Sequence, residues 1–136
     1  MPYKITWKAR GVIWTFSGSL TGKDAIQANL DIYGDPRFDD LRYQIVDISE
    51  VEQFNIASED LDAAASLDDA ATISNNRLIV AIVAANMEAV KVAKLYEAAM
   101  ETCAWKVKIF GSLQDAQEWI RLTCGSLGDA MKRRDA

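Results

Sequence analysis

Asp47 and Ser49 stand two residues apart at the end of the apolar run Tyr43 to Ile48, and a carboxylate beside a hydroxyl in that place has two uses. Open α/β sheets keep ligand and regulatory groups at the carboxyl ends of their strands, so the pair could form a site. It could equally be an aspartate bonding neighbouring loop amides and a serine closing a turn. Ser58 carries the same duality. It is placed to cap a helix whose first turn holds Glu59 and Asp60, or to accept a phosphate. A phosphate there would gain from the helix dipole and lose to those two acids, and the effects nearly cancel.

The remaining chemistry is sparse. With 0 histidines the chain lacks the commonest general base and metal ligand, so Ser-His and Cys-His nucleophile systems are excluded. Cys103 and Cys124 are too far apart for a C-x-x-C unit and fall on apolar faces, which predicts reduced core thiols in a cytoplasmic protein. The carboxylate pairs Glu59-Asp60 and Asp68-Asp69 sit at adjacent helix positions that point apart, and no calcium-loop spacing is present. Gly18 to Gly22, before a helix, reads as a turn; its amides would suit an anion, but the spacing matches neither G-x-G-x-x-G nor a P-loop. Trp7, Trp14, Trp105 and Trp119 could line an apolar cavity or serve as core and rim packing. The expectation is a protein that is no enzyme and takes no metal and no cofactor.

Charge is the most uneven property. From Tyr43 to Asn76 there are eight acids and no lysine or arginine, whereas elsewhere fifteen bases face twelve acids, so the net −5 comes from this stretch alone. Such segregation suits a docking face for a protein partner with a basic surface, built from Asp47, Ser49, Glu50, Glu52, Ser58, Glu59, Asp62, Asp68 and Asp69. An acidic balance argues against nucleic acid. Lys132, Arg133 and Arg134 belong to a solvated tail over 125–136. The longest apolar run, Leu78 to Ala85, is far shorter than the roughly 20 residues that span a bilayer, so no transmembrane segment is expected. A homodimer through the hairpin or an exposed helix is compatible with the sequence, but no pattern specifies it.

These residues need positioning elements, and 136 residues suffice for one domain. Tyr3, Ile5 and Trp7 alternate with polar residues as a strand; Val12, Trp14 and Phe16 make a second, and the two read as a hairpin. Thr21 caps a helix with Ile26, Leu30 and Tyr33 on one face, ended by Gly34, Asp35 and Pro36. Leu41 to Ser49 reads as an inner strand covered on both faces, followed by a loop over Glu50 to Ala57. Ser58 then opens a helix to about Ser74 with Leu61, Ala64, Ala65 and Leu67 inward and Asp62, Asp68 and Asp69 outward. Leu78 to Val83 is a buried strand, Asn86 caps a helix to Thr102 with Val92, Tyr96, Ala99 and Cys103 aligned, and Trp105, Val107 and Ile109 form an edge strand. Ser112 caps a last helix with Leu113, Ala116, Ile120 and Cys124 as its stripe and Gly125 as its stop. The order β-β-α-β-α-β-α-β-α is an α/β domain: a mixed sheet of about five strands, the later ones parallel, with about four helices.

That order, with Ile45-Val46-Asp47-Ile48-Ser49 leading into an acidic segment, resembles the STAS domain of bacterial anti-anti-sigma factors. It resembles more closely the SpoIIAA-like branch of uncharacterised bacterial proteins, through Tyr33-Gly34-Asp35-Pro36-Arg37-Phe38 and Arg42-Tyr43-Gln44-Ile45-Val46-Asp47. The resemblance spans Tyr3 to Arg121 and implies a non-catalytic regulatory or protein-interaction domain. In regulatory members the loop after this strand carries a kinase-modified serine and the next helix is the partner surface. Here Asp47 and Ser49 fall in register with the Asp-Leu-Ser part of that pattern. Asn55-Ile56-Ala57-Ser58 replaces its Asp-Ser-Ser-Gly part, so the modified serine is either missing or displaced to Ser58. The related look of SEC14-type lipid-binding folds implies the alternative, a carrier of a small apolar or lipid-like ligand.

Overall fold

Alternating apolar side chains at Tyr3, Ile5 and Trp7 give the first strand, and the computed structural model, which describes residues 3–124, carries it as β1 (Tyr3–Lys8). It pairs antiparallel with β2 (Gly11–Thr21), Tyr3 opposite Phe16 and Lys8 opposite Gly11. Helices and strands then alternate: α1 (Gly22–Tyr33), a 3-10 turn at Pro36–Asp40, β3 (Tyr43–Asn55), α2 (Ser58–Ala71), β4 (Ile79–Val83), α3 (Met87–Ala99), β5 (Lys106–Phe110) and α4 (Leu113–Cys124). The sheet order is β1-β2-β3-β4-β5, parallel after the first pair, with the lysine-bearing β5 at an edge. Crossovers of one hand between successive neighbours keep their helices on one face. Accordingly α1, α2 and α3 lie side by side over one face, and α4 packs alone against β3, β4 and β5 on the other.

Three caps form where their residue types predict. The Thr21 hydroxyl accepts from the Asp24 amide at 3.2 Å while the Asp24 carboxylate accepts from the Thr21 amide at 3.2 Å, closing a capping box. Asn86 accepts from the Ala89 amide at 2.8 Å, and Ser112 from the Asp115 amide at 3.2 Å.

Two expected loops are strand instead. The turn expected over Gly18 to Gly22 is the second half of β2, and the loop expected over Glu50 to Ala57 is β3 as far as Asn55. The two segments pair with each other, Gly18 opposite Val51 and Leu20 opposite Phe54, through register shifts at Thr15/Ser17 and Gly18/Ser19. Gly18 takes φ of 68° at the second shift, a conformation open to glycine and strained for other residues. β4 pairs with β3 only up to Val83 opposite Asp47, so beyond Asp47 the sheet narrows to a ribbon.

Helix details also differ. Ala57, not Ser58, is the N-cap of α2, and the Asp60 carboxylate accepts its amide at 3.0 Å. α2 ends at Ala71, before Ser74; α3 ends at Ala99, before Thr102; Trp105 precedes β5. In α1 the buried residues are Gly22, Ala28 and Ile32, while Leu30 is 47% exposed, so the helix turns a smaller-residue face to the sheet than expected. In α3 the fully buried positions are Ala89 and Ala93, with Val92, Tyr96 and Ala99 flanking them half-buried. The tail expected at 125–136, with Gly125 as a helix stop, lies outside the described residues.

Candidate functional site

Small residues on the inner sides of three helices leave a gap above the sheet. Ala25 and Ala28 of α1, Ala64 of α2 and Ala93 of α3 stand where leucines would fill the space, and a cavity of about 90 Å³ lies beneath them. Its floor comes from alternate residues of the inner strands: Trp14 and Phe16 on β2, Gln44, Val46 and Ile48 on β3, and Ile82 on β4. α2 roofs it with Leu61, Ala64 and Asp68, and Leu20 and Ile56 close the end toward the ribbon. A Cβ on Gly22 would stand 2.2 Å from the Asp60 carboxyl carbon, so glycine there permits the close approach of the α1 and α2 starts.

Asn29, Gln44, Asp68 and the Tyr96 hydroxyl break this apolar lining, and Gln44 and Asp68 are the fully buried members of the set. Gln44 is 3% exposed, and its Nε2 is the one buried side-chain polar atom without a partner among the described residues. A buried amide left unbonded costs about 1–3 kcal/mol. Asp68 is 2% exposed, and its two carboxylate oxygens accept from the Tyr33 and Tyr96 hydroxyls. This arrangement ties the last turns of α1, α2 and α3 together. Burial raises the Asp68 carboxyl from 3.8 to about 6, partly offset by the two hydroxyls that favour its ionised form. Burial, and then the negative charge of Asp68, push both tyrosine hydroxyls upward. Cys103 is pushed up as well, by burial first and by the charges of Asp69 and Asp68 among lesser causes.

Of the candidate site residues singled out by sequence, Asp68 and Trp14 lie here and the others do not. Asp68, expected on the wet side of α2 with Asp62 and Asp69, is instead in the core, because its place one turn beyond Ala64 and two turns beyond Leu61 points it inward. Asp47 is half-buried, accepting from the Ser49 amide at 3.0 Å and from the Ser49 hydroxyl at 2.5 Å, so the two satisfy each other locally. Glu50 and Glu52 are exposed on the ribbon, and Ser58, Glu59, Asp62 and Asp69 are exposed on α2. Asp62 and Asp69 border the surface groove between α2 and the end of α3, together with Ser66 and Thr102.

Of the four tryptophans only Trp14 reaches the cavity, with its indole N–H donated to the Ala28 carbonyl at 3.3 Å. Trp105 is core, donating to the Asn75 carbonyl at 2.7 Å; Trp7 lies 3.9 Å under the Arg37 guanidinium; Trp119 packs on Phe110. Cys103 and Cys124 are free and half-buried. Among the described residues no cluster of candidate metal ligands occurs, and no helix is long and apolar enough to cross a membrane.

Sequence reasoning missed Gln44, Tyr33 and Tyr96 as site residues. Gln44 did leave a signal, as the one uncharged polar residue inside Tyr43 to Val46, a stretch read as covered on both faces.

No protein-family model and no curated protein matches the sequence. Among solved structures, the chain is similar to an uncharacterised protein of the DUF3478 family with a SpoIIAA-like fold from Shewanella loihica PV-4. The TM-score is 0.51 and the identity 17%, over 86% of this chain and 90% of the other. The SpoIIAA-like fold expected from the element order is the fold of this chain.

Proposed function

We propose that this chain is a non-catalytic binding protein that holds a small, largely apolar molecule in the cavity between its three-helix layer and its sheet. The observation that carries the reading is Gln44. A buried amide with nothing to bond is a standing cost to the fold, and ligand sites are where apolar walls meet a few such polar groups. The alanines above it point the same way, since they keep open a space that larger side chains would fill. The free thiols fit a reducing compartment such as the cytoplasm.

Trp14 provides the readout, because it forms part of the wall. Toluene, titrated into the full chain, is expected to change tryptophan emission saturably and to add its mass in the native spectrum. The emission response should disappear in Trp14→Phe, and both signals should disappear when Ala64→Leu fills the space. A flat titration with no added mass sinks the carrier reading.

A second reading rests on the charge of segment 43–76, where Glu50, Glu52, Glu59, Asp62 and Asp69 are all exposed and no base intervenes. This is a docking face for a basic partner protein, without the contribution first assigned to Asp68. Ser58 is exposed at the start of α2, whereas the Ser49 hydroxyl is already donated to Asp47, so Ser58 is the accessible serine for modification. Reversing Asp62 and Asp69 to lysine should abolish capture of a partner from cell extract with the circular dichroism unchanged. Undiminished capture would remove this face from consideration.

A further inference from the structure

The outer surface of the three-helix layer carries two unlike strips side by side. On α3 a shallow depression is lined by Met87, Val90, Lys91, Lys94 and Leu95, with no carboxylate in its wall. Met87 is 91% exposed and Leu95 45%, so this helix turns large apolar side chains to water beside its two lysines. Of the α3 acids, Glu88 sits in the first turn and Glu97 borders the groove toward β5. On α2 the exposed side holds Glu59, Asp62, Ala63, Ser66, Asp69 and Ala70, acidic and otherwise small, and the helix contains no base. None of Asp62, Asp69, Lys91 and Lys94 is in an ion pair among the described residues.

We infer that α2 and α3 together form a self-complementary face, and that the basic partner of the acidic α2 surface is α3 of a second copy of this chain. The inference rests on the docking-face reading and names its partner. Because β3, β4 and β5 are parallel, the helices that return between them, α2 and α3, run parallel to one another. A two-fold axis along the helices lays α2 of each copy on α3 of the other, so one contact is made twice and the assembly closes as a dimer. Lys91 and Lys94 then meet Asp62 and Asp69, while Met87 and Leu95 cover the side of α2 where Ala63, Ser66 and Ala70 let a second helix approach. A two-fold axis across the helices would set α2 against α2, acid on acid, which like-charge repulsion opposes. Exposed apolar side chains beside unpaired charges are the composition of an interface. A foreign basic protein would use the acids of α2 and leave the apolar and basic strip of α3 without a role.

Sedimentation equilibrium of the full chain, from micromolar to submillimolar concentration at low salt, should show a monomer-dimer equilibrium that moves toward monomer at high salt. Asp62→Lys with Asp69→Lys, and separately Lys91→Glu with Lys94→Glu, should each weaken the dimer about a hundredfold with unchanged circular dichroism, because each sets like charges together in both contacts. Mixing the two variants should restore a one-to-one dimer of wild-type affinity, since both contacts then pair unlike charges again. A wild type that stays monomeric throughout the range, variants that dimerise as the wild type does, or a mixture that stays monomeric overturns the second-copy inference. The docking-face reading is then judged by capture from extract: it stands if reversal of Asp62 and Asp69 abolishes capture, and falls as well if capture is undiminished.

Discussion

β3 divides the molecule into two unlike cores within three residues. Toward α4 it presents Tyr43 and Ile45, which join Ile79, Ala81, Val83, Ala116 and Ile120 in a cluster whose polar group is the Tyr43 hydroxyl. Toward α1, α2 and α3 it presents Gln44, Val46 and Ile48, the floor of a cavity that also contains a buried carboxylate. Both sides derive from one strand with a period of two, so secondary-structure propensity cannot be the source of the difference. The α4 side is composed as packing alone would compose it. The three-helix side keeps an unbonded amide, a raised carboxyl and open volume, each of which packing alone would select against. Departures of that kind concentrate where a fold has been given a task besides stability.

Making the two sides alike is the most direct way to break the comparison. Ile45→Gln places on the α4 side the amide that β3 already carries on the other. It should lose the burial of an isoleucine and leave a new amide unbonded, for a destabilisation of about 4 kcal/mol in urea unfolding. If instead the protein tolerates this change with less than about 1 kcal/mol lost, Gln44 is not exceptional and the contrast between the two cores has no energetic content.

The Asp68 cluster gives the next largest effects. Replacing Tyr33 and Tyr96 together by phenylalanine strips a buried carboxylate of both donors and should cost about 3 kcal/mol at pH 8, with part of the loss recovered at pH 5 as Asp68 takes up a proton. In the unaltered protein the folded pKa, about 6, lies above the ordinary carboxyl value of 3.8, which fixes the sign of its pH dependence. Below pH 3.8 both states hold the proton and the contribution to stability is fully present. Between there and about 6 the unfolded chain releases the proton while the folded chain retains it, and stability falls; above 6 the loss is complete. That difference corresponds to about 3 kcal/mol. Asp35 and Glu118, both held below their usual values by arginine partners, act in the opposite sense, so the measurement is the difference between wild type and Asp68→Asn across pH 4 to 7. Parallel curves for the two proteins would show that Asp68 is not strained.

The same contrast explains what the sequence could disclose. Buried strands such as Ile79–Val83, and caps such as Thr21, Asn86 and Ser112, are encoded within a few residues and were legible. The ribbon was not. Ser17, Gly18 and Ser19 on one side and Glu50, Glu52 and Gln53 on the other are exposed residues of turn-like and loop-like composition, and their pairing is visible only once both strands are in place. Asp68 follows the helical repeat of Leu61 and Ala64 and so could have been placed inward by period, but its charge argued the other way. Only its partners resolve the conflict, and they lie 35 and 28 residues away in sequence, where no local pattern reaches.

The smallest expected effect is the one that most sharpens the comparison, because it goes against the usual direction of core substitutions. Gln44→Leu removes the unbonded amide and adds apolar surface to an apolar floor, so the ligand-free protein should gain about 1 kcal/mol and unfold at a higher temperature. Most buried substitutions lose stability, and a gain here would mean that the native residue is held against the interest of the fold. Loss of stability would instead mean that Gln44 is already satisfied in solution, by ordered water for example, and the amide could no longer be read as reserved for a ligand. A gain in stability would assign the cost carried by this face of β3 to the Gln44 side chain alone.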